Sequence, residues 1–346
     1  MEMEAYITLS QGAGGLESIE FIEKIVVRKV PDILRKTLGG HGLDILDDGS
    51  FIKVGEIYVV FSSDSYTVKP LFYPGGNIGE LAASGVLNDL VMMGSRPVAF
   101  MDNIIVEEGF PIKDLEIIIE SMVKILRENN VALIGGDFKV MPRGTLDKLV
   151  ISGYGVGVTQ EPPIVDDVRI GDVIIVTNNI AEHGAAILAA QLGMDNENYT
   201  LRSDSKPLVK TVLPVIEKYR GYVHAARDPT RGGLSSILNE WIKGKPFSIV
   251  IDESKLPLRD EVKTFLEMLG IDPLTVASEG VAVLSVSKDV SNEVLEMLRA
   301  NGEKPSIIGE VAPPESEALN GRVIGVTEIG GKRIIKGDAL NLPRIC

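Results

Sequence analysis

Short runs rich in β-branched residues alternate with segments of helical period along the whole 346-residue chain, and turn residues stand at nearly every junction. That alternation predicts an α/β or α+β protein, because strands and helices so ordered bury their apolar faces against one another. In the first half the pattern gives strands over 56–62, 131–134 and 149–158, and helices over 18–29, 78–93 and 112–128. Gln160-Glu161-Pro162-Pro163 interrupts it, since two prolines after a strand cannot continue a sheet interior. A domain boundary is expected there, dividing the chain into residues 1–160 and 161–330. The second part restarts with a strand at 172–177 and a helix from about His183, followed by strands near 247–251 and 281–286. Beyond Gly330 the periodicity is lost, and 331–346 reads as a mobile tail. At about 3.3 Å per residue it reaches at most about 53 Å, enough to enter its own active site or a partner's.

Charge narrows the function. Thirty-five Lys and Arg stand against 49 Asp and Glu, a formal net charge of −14, whereas a general binder of nucleic acid or of anionic membranes needs the opposite sign. No apolar stretch approaches the roughly 18 residues of a membrane span, and Met1-Glu2-Met3-Glu4 lacks the basic-then-apolar pattern of a signal peptide, so the chain reads as cytoplasmic. One cysteine, Cys346, and three histidines, His41, His183 and His224, leave no internal disulfide and argue against a Cys/His zinc site. Carboxylates abound, so a bound metal is expected to be a hard cation such as Mg²⁺.

Several loops carry residues suited to chemistry. Gln11-Gly12-Ala13-Gly14-Gly15 precedes a helix and lets backbone N–H groups approach a phosphate, though no Walker Gly-Lys-Ser/Thr follows and a plain flexible loop is an equal reading. Asp47-Asp48-Gly49, Asp64 and Asp137 sit where the chain turns, as metal ligands or as ordinary turn and cap residues. Asp89 is different: at 100° per residue it shares the helical stripe of Ala82, Gly85 and Met93, so it should be buried or in a cleft and need a cation or strong donor. Arg227-Asp228-Pro229-Thr230-Arg231-Gly232-Gly233, ahead of a helix, suits either an anion or a capped turn with a local Arg–Asp pair. Ala277-Ser278-Glu279-Gly280 precedes a strand; Lys139 and Glu279 form either a structural salt bridge or part of a site. A cysteine at the last position suits a covalent carrier, the alternative being an exposed thiol without a role.

Taken together, Asp47-Asp48-Gly49, Ser63-Asp64, Pro74-Gly75-Gly76-Asn77-Ile78-Gly79, Asn88-Asp89-Leu90-Val91-Met92-Met93-Gly94, Gly136-Asp137-Phe138-Lys139-Val140, Asp228-Pro229-Thr230-Arg231-Gly232-Gly233 and the ending Pro343-Arg344-Ile345-Cys346 resemble the HypE family of hydrogenase maturation factors. The internal motifs are those of the wider PurM-like (aminoimidazole-ribonucleotide synthetase) superfamily; the Pro-Arg-Ile-Cys ending is specific to HypE. The resemblance implies two PurM-like α/β domains, the N-terminal ones pairing in a homodimer with ATP near the interface. It implies an ATP- and Mg²⁺-dependent dehydratase acting on its own tail. A HypF-type carbamoyltransferase loads Cys346, the carboxamide oxygen is phosphorylated, and phosphate loss leaves a thiocyanate, whose cyano group passes to iron on a HypC–HypD complex for [NiFe]-hydrogenase. By the same resemblance Cys346, Lys139 and Glu279 are catalytic, the last two taking protons from the carboxamide nitrogen. Gly12, Gly14, Gly15, Asn88, Asp228 and Arg231 bind ATP or phosphate, and Asp47, Asp48, Asp64, Asp89 and Asp137 hold metal.

Three positions depart from the family pattern: Gln11 where His is usual, Phe138 where Thr is usual between Asp137 and Lys139, and Ser278 where Asn precedes Glu279. They bear on rate and tail positioning more than on the class of reaction. Two other readings remain open on the sequence: an ATP-dependent small-molecule enzyme of the same superfamily, and a non-catalytic scaffold that docks partners through its tail. Selenophosphate synthetase chemistry is disfavoured, because no cysteine stands near Gln11.

Overall fold

The computed structural model describes residues 6–194, 200–337, 342 and 344–346. Met1-Glu2-Met3-Glu4, residues 338–341 and Pro343 lie outside the described residues.

Helix α1 (Gly15–Ile25) leads into β1 (Ser50–Val54), β2 (Ile57–Tyr66), the short ladder β3 (Phe72–Tyr73) with β4 (Gly76–Asn77), α2 (Ile78–Met92), β5 (Arg96–Glu107), α3 (Ile112–Glu128), β6 (Ala132–Met141) and β7 (Leu149–Thr159). Among the described residues these strands form a five-stranded sheet of order β1-β2-β7-β5-β6. Only β5 and β6 run parallel, joined by α3. Asn77 starts α2 by accepting from the amides of Gly79 and Glu80 at 2.8 and 3.4 Å. The helix is buried on nearly every side, because β7 places Gly153, Gly155 and Gly157 at alternate positions on the face beneath it. A Cβ at Gly155 would lie 2.6 Å from Val86 and 2.8 Å from Leu90, so only bare backbone lets α2 sit so close.

The second half supplies β8 (Asp172–Val176), α4 (Glu182–Gln191), α5 (Leu213–Lys218), β9 (Val223–Arg227), α6 (Gly233–Ile242), β10 (Ser248–Asp252), α7 (Asp260–Leu269), β11 (Val283–Ser287), α8 (Ser291–Ala300), β12 (Ser306–Ala312), β13 (Val323–Val326) and β14 (Lys332–Ile335). Its sheet has the order β14-β13-β10-β12-β8-β11-β9, with β10 and β13 parallel and the other pairs antiparallel. No described helix is long and apolar enough to cross a membrane.

The structure corrects several expectations. The first helix spans Gly15–Ile25 rather than 18–29. Strand β5 has no counterpart in the sequence reading: Pro97 near its start and the polar pair Asp102-Asn103 mask a clean alternation of buried and outward residues. The segment read as a mobile tail begins as β14, whose Ile335 pairs with Val323 inside the second sheet, and its end is docked, as described next.

Candidate active site

Three carboxylates from three elements converge. Asp48 precedes β1, Asp89 lies in α2 and Asp228 follows β9, yet one oxygen of each falls within 4.8 Å of the other two. Asp89 accepts from Ser62 Oγ, while Asp48 and Asp228 each bury an Oδ2 with no hydrogen-bond partner. Burial, with the neighbouring carboxylates, lifts Asp48 and Asp89 well above the carboxylate range, and burial lifts Asp228 to about 7. Buried carboxylates that share one space with oxygens left unpartnered are tolerable only when protonated or when a cation joins them. An all-oxygen set fits a hard divalent ion such as Mg²⁺ and disfavours a soft metal.

Arg227 orders the edge of this cluster. Its guanidinium reaches Asp48 at 2.8 Å, Asp166 at 2.7 Å, Asp47 at 3.2 Å and the Leu46 carbonyl at 3.0 Å. Asp47 is thus committed to a buried ion network; burial and then Asp166 push it up to about 7 against the pull of Arg227. It sits behind the open carboxylates, a correction to its reading as a metal ligand.

The chain's own C-terminus closes the site. Thr67 donates both its amide and Oγ1 to the Cys346 carbonyl oxygen, each at 3.1 Å, and the Lys69 amide donates to the Arg344 carbonyl at 3.0 Å. Residues 344–346 therefore lie antiparallel along 67–69, tied by these two amide bonds, with Arg344 in a turn at a φ of 55°. Arg344 donates to the Thr67 carbonyl at 2.7 Å and pairs with Asp147, and Ile345 is buried in the main core. The Cys346 thiol is held protonated by burial, then by Glu279, with Arg231 opposing. Glu279 is itself fully buried with both carboxylate oxygens unpartnered, and burial followed by Asp228 raises it well above the usual range. A cavity of about 480 Å³ lies between this tail and the glycine-rich loop, bounded by Gln11, Gly12, Arg231 and Thr275 among others.

The remaining sequence candidates divide. Arg231 donates to the Gly12 carbonyl at 3.0 Å and stands 3.8 Å from Asp64, so the loop, Arg231 and half-exposed Asp64 belong together. Gly14 and Gly15 have left-handed φ of 87° and 71°, and a Cβ at Gly14 would strike the Arg231 carbonyl at 2.7 Å. Asn88 departs from its reading as an ATP ligand. It is fully buried and spends its amide on the chain itself, donating to the carbonyls of Lys206 and Glu279 at 3.1 Å and accepting from the Leu208 amide at 2.8 Å. Asn88 pins the Glu279 loop to α2.

Lys139 and Asp137 pair with each other at 2.8 Å on the exposed strand β6, so the Lys139–Glu279 salt bridge does not form. Across the sheet the register runs from Asp137 to Asn103, from Asn103 to Ser152 and from Ser152 to Ser65. Three strand spacings separate β6 from β2, about 14 Å, which exceeds the reach of a lysine side chain toward the tail of its own chain. Asp137 accordingly stands outside the carboxylate cluster. The three departures from the family pattern are spent on other contacts: Gln11, beside the cavity, caps the Thr8 amide at 2.7 Å, Phe138 is exposed, and buried Ser278, next to Glu279, accepts from the Ala181 amide at 2.8 Å.

Sequence reasoning missed Asp204, Thr67 and the site role of His183. Asp204 accepts from the amides of Glu279 and Gly280 at 3.2 and 3.4 Å, and burial lifts it to about 7. Its surroundings, Arg202-Ser203-Asp204-Ser205-Lys206, carry the composition of a surface loop and no period.

These shifts fix a sign for stability. Asp47, Asp204 and Asp228 keep their protons to about pH 7 in the folded chain, whereas unfolded carboxyls lose theirs near about 4. Between those values the folded state binds more protons, so stability falls as pH rises and levels off above about 7. His183, pushed down to about 4 by burial, acts in the opposite sense up to its ordinary 6.5 and offsets part of the slope. The metal-free chain is therefore expected to melt several degrees lower at about pH 7.5 than at about pH 5.5, with Mg²⁺ recovering the difference. Calorimetry at both values, with chelator and with Mg²⁺, reads this directly; a metal-free melting temperature that climbs with pH contradicts it.

Residues 46–159 match the N-terminal domain of AIR synthase related proteins, and residues 169–321 match their C-terminal domain. A Methanocaldococcus jannaschii protein named for hydrogenase expression/formation is 39% identical, over 98% of this chain and 99% of its own. The carbamoyl dehydratase HypE of Rhizobium leguminosarum bv. viciae is 36% identical over 98% and 95%. Among solved structures, hydrogenase maturation protein HypE in complex with ATP superposes with a TM-score of 0.80 at 34% identity, covering 99% of this chain and all of that one. A HypE–HypF complex gives 0.81 at 31% identity, covering 93% and 99%. With both domains matched and near-full-length relatives above 30% identity, this chain belongs to the HypE family of carbamoyl dehydratases within the AIR synthase related superfamily.

Proposed function

We propose that this protein dehydrates a carbamoyl group carried on its own Cys346 to a thiocyanate, at the expense of ATP, during hydrogenase maturation. One observation carries the reading: the terminal cysteine is docked beside unpartnered Glu279, against the same buried space that holds the carboxylate cluster. In the docked state the thiol stays protonated, so the site suits a group already attached at Sγ better than the capture of a new one. Loading then belongs to a separate carbamoyltransferase of the HypF type, and the cyano product passes to a HypC–HypD type acceptor.

In its ionised form, made a stronger base by burial, Glu279 takes a proton from the carboxamide nitrogen, and the carboxamide oxygen attacks the terminal phosphorus of ATP, releasing ADP. The second N–H proton then passes to the departing phosphate as the C–O bond breaks, giving S–C≡N and inorganic phosphate. In this reading Arg231 and the glycine-rich loop from Gly12 to Gly15 hold phosphate oxygens. Asp48, Asp89 and Asp228 would hold Mg²⁺, which supplies charge neutralisation at the transferring phosphate.

The reading includes a homodimer. Strand β6 is an open edge exposed along nearly all its length, with Leu133, Ile134, Phe138 and Val140 facing solvent, and such an edge calls for a partner. Lys139 and Asp137 lie on this strand, so their part in the reaction is exercised toward the second copy.

The test is the mass of the C-terminal peptide after incubation with a HypF-type carbamoyltransferase, with and without Mg·ATP. A carbamoyl adduct that loses one water only with Mg·ATP is the expected result. An adduct that persists with Mg·ATP overturns the dehydratase reading, and no adduct at all overturns Cys346 as carrier.

A further inference from the structure

We infer that His183 is the positioning residue that reads the tail backbone and sets Cys346 in the site. Its Nε2 lies 2.8 Å from the Ile345 carbonyl oxygen and its Nδ1 lies 2.8 Å from Ser203 Oγ. A carbonyl cannot donate, so Nε2 carries the proton; Nδ1 then accepts from the Ser203 hydroxyl, and Ser203 Oγ accepts from the Ser205 amide at 3.1 Å. Every member of this chain has one assignment, and it ends on the tail. The imidazole is fully buried and stacks edge-on against Tyr73, ring centroids 5.6 Å apart. Burial favours its neutral form, the one this chain of bonds needs.

The geometry separates His183 from the other tail contacts. The Thr67 and Lys69 amides hold the tail through backbone bonds that any sequence can make, the half-buried Thr67 hydroxyl adds a bond to the Cys346 carbonyl, and Arg344 reaches outward to Asp147. His183 alone among these contacts is a buried side chain that recognises the peptide bond next to the carrier residue. The Ile345 side chain goes into the core, so the bond at its carbonyl sets the direction in which the chain leaves toward Cys346. Without a donor the Ile345 carbonyl would be buried and unpaired, and the docked state would lose to the undocked one.

This inference rests on Cys346 as carrier, but its test needs neither ATP nor a loading partner. The measurement is the alkylation rate of Cys346 by iodoacetamide in the intact native protein, alongside its thermal midpoint. His183→Phe keeps a buried ring and removes the donor; it is expected to raise the rate roughly tenfold, the population shift that follows from one buried unpaired carbonyl. His183→Gln restores a donor and should stay within about threefold of the parent. Ser203→Ala frees the ring from its anchor and should fall between them. In single-turnover dehydration the Phe variant lowers the rate while leaving the ATP requirement (KM) unchanged, and Gln rescues it. A Phe variant that melts normally and alkylates at the parental rate overturns the inference, as does a Gln variant that melts normally yet behaves like Phe. Should Phe fail to fold, Ser203→Ala decides: a parental alkylation rate in that variant overturns the inference. Failure of the dehydratase reading shows elsewhere, as a parent chain whose loaded tail does not lose water.

Discussion

Cys346→Ser is expected to abolish both the carbamoyl adduct and its dehydrated product, while ATP binding and thermal stability stay near those of the parent. The two side chains are nearly isosteric, and the tail is held by contacts that do not involve sulfur: the Thr67 amide and hydroxyl, the Lys69 amide, His183 and the Arg344–Asp147 pair. The variant should therefore still dock, which separates loss of chemistry from loss of structure. A thiolate released from the buried site is a far better acceptor than a serine hydroxyl at neutral pH. The C-terminal peptide mass after loading, and isothermal titration with Mg·ATP, read the two halves of the prediction. Product formed by the serine variant would return the chain to the small-molecule reading, because catalysis would then ignore the tail.

The second large effect has opposite signs in two measurements. Asp228→Asn removes one of three converging carboxylates, each raised by burial and two of them with an unpartnered oxygen. In chelator the variant is expected to melt higher than the parent, because like charges in a buried space destabilise the fold. With Mg²⁺ it is expected to lose about 100-fold in divalent-dependent ATP turnover, the order of loss when a site's metal or phosphate charge balance is broken. Asp89→Asn should behave alike, whereas Asp252→Asn, which touches only Ser254 and Lys255 at the surface, should change neither. Calorimetry in chelator and a Mg²⁺ titration of turnover read the pair. A variant that melts lower in chelator and keeps its Mg²⁺ dependence removes the cluster from the metal site.

Asp89 illustrates what periodicity can and cannot deliver. Its place on the apolar stripe predicted a buried carboxylate in need of a partner, and the structure places it in a cluster of three. The reason differs, however: α2 is buried on nearly all sides, and the small position Gly85 admits Tyr66 rather than a ligand, since a Cβ there would lie 2.1 Å from the Tyr66 hydroxyl. Asn88, one residue away and off that stripe, turns to the Glu279 loop instead. Adjacent residues on a helix point 100° apart, so neighbours in sequence face different walls of the fold.

The sequence by itself determined the alternation of strands and helices, the break of pattern at Gln160-Glu161-Pro162-Pro163, the exclusion of a thiolate metal site, and the terminal cysteine with the motifs of its family. Those features are local, since each is carried by composition or by a short spacing. Only the tertiary structure decided which carboxylates meet. Asp47 and Asp48 are chemically identical neighbours, yet Arg227, far along the chain, engages both and leaves an oxygen open only on Asp48. Strand order placed Lys139 three strands from β2, away from the Glu279 it was expected to face, and long-range pairing turned the expected loose tail into β14 and a docked end. Long-range pairing sets these choices, and a carboxylate or lysine carries no local mark of which distant segment will lie beside it.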